Sequence, residues 1–115
     1  MDTINRQVVI IRPRKPFLDW LHSLPDPVRK DFAMDDLNRD STVYLIPDYD
    51  NEDESLQSVY ENFELFFEEQ LGGWWTDESD WPKDVSLKTF KKWFDVEIHS
   101  MVVDLLDEEV KKDPF

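Results

Sequence analysis

The run Arg6-Gln7-Val8-Val9-Ile10-Ile11-Arg12 holds four β-branched apolar residues in succession, and Pro13 closes it. Such side chains are stiff at χ1 and pack best on a pleated surface, so the run reads as a strand. Consecutive apolar positions point to opposite faces, which predicts a central strand in a sheet covered on both sides. A chain of 115 residues has room for one domain built around that strand, read as residues 1–115 with a tail fraying from about residue 107.

Two more strands are expected. Thr42-Val43-Tyr44-Leu45-Ile46 is again apolar on both faces and is stopped by Pro47. Farther on, Val96, Ile98, Ser100 and Val102 alternate with Glu97, His99, Met101 and Val103, a less uniformly apolar pattern that suits an edge. Between the strands, Pro16 opens a short helix carrying Phe17, Leu18, Trp20, Leu21 and Leu24. Asp26-Pro27 predicts a second short helix near 27–33, followed by a polar loop over 34–41. The longest helix is expected over 52–71, where Leu56, Val59, Tyr60, Phe63, Phe66 and Phe67 form one stripe. Asn51 and Glu54 offer it a capping box, and Gly72-Gly73 a stop. Ser86 caps a further helix over roughly 87–94.

The order β-α-(α)-β-α-α-β favours an α/β fold with right-handed crossovers. The expectation is a small three-stranded, mainly parallel sheet in the order 2-1-3, with helices packed on both sides. The alternative is an α+β arrangement with strand three antiparallel.

The formal charge is -14, and it is segregated. Residues 40–81 contain thirteen acids and no Lys or Arg, while both flanks are close to neutral. This argues against direct binding to nucleic acid or to anionic membranes, both of which need a basic surface. The chain has no cysteine, which excludes disulfides, thiolate metal sites and a cysteine nucleophile. No apolar run approaches the roughly 20 residues of a membrane span, and Met1–Arg6 lacks a signal-peptide core. The expected location is cytoplasmic.

Three groups of residues are candidates for function. In a parallel sheet, binding residues gather beyond the carboxyl ends of the strands, which would bring Arg12, Arg14 and Lys15 to one rim with Asp48, Tyr49 and Asp50. A second group is the loop Trp74-Trp75-Thr76-Asp77-Glu78-Ser79-Asp80-Trp81-Pro82, where Trp74, Trp75 and Trp81 are possible anchors. Asp77, Glu78 and Asp80 are placed to steer a basic partner. The third is the helix face bearing Glu61, Glu64 and Glu68, whose like charges at helical spacing bring no support to the helix. The plainer readings are ion pairing for the rim, core cover for the indoles and a solvated face for the glutamates.

The acidic run from Asp48 to Glu54 fails as an EF-hand, because the sixth position is Asp53 instead of glycine and the twelfth is Val59 instead of a carboxylate. Two histidines, His22 and His99, have no nucleophile or ligand at a telling spacing, so no catalytic set, metal site or cofactor is expected. The reading that fits best is a non-catalytic interaction module engaging a basic protein, as a monomer or a homodimer. A sharper form is an inhibitor, immunity-type or nucleic-acid-mimic protein. The small acidic α/β layout is similar in outline, by architecture and charge and without a shared motif, to barstar-type ribonuclease inhibitors. A different class of reading is a small ligand-binding domain or enzyme using the rim.

Overall fold

The computed structural model describes residues 1–25 and 30–114. The chain opens on a two-residue strand, β1 (Asp2–Thr3), and enters β2 (Arg6–Pro13), the strand marked by the β-branched run. β2 lies between β3 (Val43–Pro47) and β4 (Phe94–His99), and both neighbours are antiparallel to it. Val8 stands opposite Leu45 on one side and His99 on the other. The expected mainly parallel sheet is therefore corrected to an antiparallel one. The alternative with only the third strand reversed is corrected too, since both outer strands oppose β2.

The connections explain the directions. β2 leads into α1 (Lys15–Ser23) and α2 (Met34–Asn38), which pack on each other and return the chain to the end of the sheet it left. β3 therefore begins beside the far half of β2, with Val43 opposite Ile10. β3 leads into α3 (Glu52–Glu61), α4 (Phe63–Trp74) and α5 (Leu87–Trp93), which carry the chain back to start β4, with Phe94 opposite Pro13. β3 and β4 thus run in the same direction with β2 between them, a split crossover. The parallel relation implied by alternating strands and helices exists only between two strands that do not touch.

The helices cover one face, where both had been expected. Gln7, Val9, Ile11 and Pro13 point inward from β2, beside Tyr44 and Ile46 of β3 and Phe94, Val96 and Ile98 of β4. On these pack Phe17, Trp20, Phe67 and Phe90, which with Phe94 form a cluster of aromatic rings. Phe94 sits 5.2 Å from Phe90, 5.3 Å from Phe67 and 5.4 Å from Phe17, in tilted or edge-on contacts. Val8, Ile10, Val43 and Leu45 form the opposite row and take no part in this core. Four apolar residues in succession cannot tell a covered second face from an open one.

Several boundaries also move. The long helix breaks at Asn62, whose amide donates to Ser58 O at 2.8 Å and competes with the helical backbone. α4 then runs through Gly72 and Gly73 and ends when Trp75 N donates to Leu71 O. α2 occupies part of the expected polar loop, because Asp36 accepts from Ala33 N at 2.9 Å and Leu37 is buried. Of the helix expected near 27–33, residues 27–29 and the capping residue 26 lie outside the described residues, and 30–33 hold no α-helix. β4 starts two residues before the expected strand and stops at His99; β5 (Val103–Asp104) then pairs with β1. Between the pairs Thr3–Val103 and Val8–His99, four residues on one side oppose three on the other, the count of a bulge. Leu105 to Pro114 carries no helix or strand. Among the described residues no helix is long and apolar enough to cross a membrane.

Candidate functional site

The antiparallel sheet does not assemble the expected rim. Arg12, Arg14 and Lys15 lie at the end of β2 beside the start of β4, whereas Asp48, Tyr49 and Asp50 follow β3 at the opposite end, past Arg6. The bases pair locally instead. Arg12 meets Glu97 at 3.3 Å, Arg14 meets Asp95 at 3.9 Å and Lys15 meets Asp19 at 3.1 Å. His99, then Arg12, donates to Glu97 and holds its carboxyl below the usual carboxylate range.

At the other end, Gln7 is buried and fully engaged. Its amide donates to Asp48 Oδ1 at 3.1 Å and to Tyr49 O at 2.9 Å, and its oxygen accepts from the buried Ser55 hydroxyl at 2.6 Å. Tyr49 shares a hydrogen bond with Ser58 at 2.7 Å. These residues pin the loop after β3 to α3. Asn51 caps that helix by accepting from Glu54 N at 2.9 Å, so the acidic run serves the helix start.

The tryptophan loop is tied to itself and to the core. Trp75 donates to Asp80 Oδ2 at 2.9 Å, and Trp81 donates to Trp75 O at 2.8 Å. Trp20 reaches across from α1 to Asp80 O at 2.9 Å. Trp74 meets Phe32 edge-on at 5.2 Å. All three indoles of the loop are half-buried against the core. Asp77, Glu78 and Asp80 line the exposed rim around a 3-10 turn at Glu78–Asp80. The Ser79 hydroxyl, then its backbone N–H, donates to Asp77 and holds that carboxyl below its ordinary value.

Glu61, Glu64 and Glu68 are exposed on α3 and α4. Gln57 donates to Glu61 at 2.9 Å. Among the described residues, no ion pair involves any acid of the segment 40–81. Among the described residues that segment therefore presents its carboxylates without an ion-pair partner.

The feature that sequence reasoning passed over lies beside it. β3 is an edge strand, and Val43 and Leu45 project from its outer face with 53% and 55% exposure. Between β3 and the kinked pair α3–α4 runs a groove of about 330 Å³, lined by Leu45, Ile46, Val59, Leu65 and Phe66. Leu65 is 67% exposed. At the groove's inner wall the Tyr44 hydroxyl donates to Glu69 and accepts from Gln70 at 3.0 Å. Burial first, and then the hydrogen bond to Glu69, push the Tyr44 hydroxyl above its ordinary pKa. The available signal was Leu65 itself, an apolar residue standing off the stripe that α4 turns to the core.

His22 contacts Phe32 O at 2.7 Å and His99 contacts Glu97 at 3.0 Å, each within its own local structure. Among the described residues, no three His, Asp or Glu side chains converge to hold a metal ion. Compared with protein-family models, with curated proteins and with solved structures, the chain matches none.

Proposed function

We propose that the protein is a non-catalytic interaction module of the cytoplasm that engages a basic protein partner. The carrying observation is that the acids of residues 40–81 have no ion pair among the described residues and flank an exposed apolar groove. Carboxylates without ion-pair partners raise the local concentration of cationic surfaces and speed encounter, while apolar contact slows dissociation. Glu61, Glu64 and Glu68 supply the field along the helices. Asp77, Glu78 and Asp80 extend it to the tryptophan loop, where the half-buried faces of Trp74, Trp75 and Trp81 form a rigid border. With Arg12, Arg14 and Lys15 paired locally and the rim unassembled, the molecule offers a surface for a partner in preference to a reaction centre.

The test is the association rate of a lysine-rich amphipathic peptide, followed by stopped-flow fluorescence at rising salt. The rate is expected to fall several-fold between about 50 and 500 mM salt. It is expected to fall again in the triple variant E61Q/E64Q/E68Q. A rate indifferent to salt and to these substitutions would remove the proposal.

A further inference from the structure

We infer that β3 is a strand-addition site: its free edge takes an extended segment of a partner chain in which apolar residues alternate with lysine or arginine. This deepens the proposed function and rests on it. The first ground is the edge itself. β3 is hydrogen-bonded to β2 on one side only, and among the described residues no backbone group bonds to its other side. An unpaired edge offers a row of donors and acceptors to an incoming strand. Val43–Pro47 contains no charged residue that would blunt it.

The second ground is that the two sides of the added strand would meet different chemistry, in register with the period of two that any strand has. Side chains on the outer side would lie against Val43 and Leu45, which continue the apolar row of Ile10 and Val8. Side chains on the inner side would enter the groove past Leu65 and Phe66. Glu68 and Glu69 stand three and four residues after Leu65 on α4, at the spacing of helical neighbours, and Glu61 closes α3 just before the break at Asn62. Lysine or arginine stems would cover the apolar wall while their heads reach these carboxylates. Apolar outside and basic inside is the pattern the surface selects.

Charge also decides against a second copy of this chain as occupant. Each copy carries a formal charge of -14, and pairing β3 with β3 would bring two unneutralised acidic segments together.

The probe is a capped peptide of about seven residues alternating valine with lysine, a usual strand length. Its twin is N-methylated at alternate backbone amides, which keeps the charge and blocks the ladder. Binding to the full chain is read by fluorescence anisotropy at low salt. The expected result is binding that weakens at least about tenfold on N-methylation and again in L45K, whose circular dichroism matches that of the parent. V43K is the second variant, since Val43 is also exposed. Equal binding of both peptides, with weakening only in E61Q/E68Q, would overturn strand addition and leave the basic-partner reading standing. Absence of binding by either peptide would overturn both. A concentration-dependent dimer abolished by L45K would assign the edge to a second copy and overturn the stated occupant.

Discussion

The two outer strands of the sheet end it in opposite ways. β4 carries Asp95, Glu97 and His99 on its outer face, and these meet Arg14, Arg12 and one another in ion pairs. β3 presents Val43 and Leu45 in the corresponding row and has no charge along its length. Both strands flank the same β2 and load the same core from their inner faces. Exposed pairs such as Arg12–Glu97 stabilise little. Their effect on an edge is to make it a poor template for another chain. An edge left without such protection beside a strongly acidic helix pair is the more informative of the two. The difference lies in what each edge excludes and hardly at all in how each holds the fold.

That comparison breaks first at the inner positions, where the two edges should behave alike. Phe94→Ala removes a buried ring from the aromatic cluster and is expected to cost about 3–5 kcal/mol; Ile46→Ala on β3 should cost about 2–4 kcal/mol. Urea denaturation monitored by tryptophan fluorescence measures both. A negligible loss at Ile46 would show that β3 is dispensable to the core as well as unprotected at its edge. A smaller effect is expected at Gln7, which ties the loop after β3 to the start of β2. Gln7→Ala leaves Tyr49 O without its donor, while the Ser55 hydroxyl falls back on Asn51 O, and should cost about 1–2 kcal/mol in the same assay.

How much of this is legible in the sequence differs from element to element. The β-branched run from Val8 to Ile11 marks a strand, and the Ser86 and Asn51 caps mark helix starts, because these signals are local. Strand direction depends instead on whether the connecting helices return the chain to the end it left, and no residue encodes that. The rim of Arg12, Arg14, Lys15, Asp48, Tyr49 and Asp50 disperses for this reason alone. The break at Asn62 is hidden because the apolar spacing runs through it, while the competing bond to Ser58 O forms only once the helix exists. The β3 edge is obscured differently. Val43 and Leu45 read as core, since apolar residues on both faces look the same whether or not the second face is covered.

At the protected edge the next effect is in pH. Glu97 is held below its ordinary value of 4.5 by the hydrogen bond from His99 and then by Arg12. A carboxyl lowered in the folded state contributes stability that is present above its unfolded pKa and is lost as pH falls through the folded value. Denaturation midpoints should therefore drop more steeply for the parent than for E97Q as pH moves from neutral to below the glutamate range. Asp95 is the neighbouring acid on the same strand and its Arg14 contact persists in the variant, so the difference between the two curves isolates Glu97. Parallel curves would show that the ion pairs at β4 guard the edge without contributing to acid stability.

The smallest change expected in folding is the one that separates the two edges most sharply. Leu45 is more than half exposed and belongs to no part of the core, so L45K should alter stability by less than about 1 kcal/mol. The strand keeps its inward residues Tyr44 and Ile46, and its ladder with β2 is unaffected because backbone groups make it. What the lysine changes is the outer row, where a charge now interrupts Val43, Leu45 and their neighbours Ile10 and Val8. β3 would then resemble β4, an edge that supports the fold and rejects a partner. Thermal unfolding checks the first half, with a melting temperature close to that of the parent, and peptide binding checks the second. A large fall in melting temperature would mean that Leu45 serves the fold after all, and the openness of β3 would be a consequence of packing with no selection for contact.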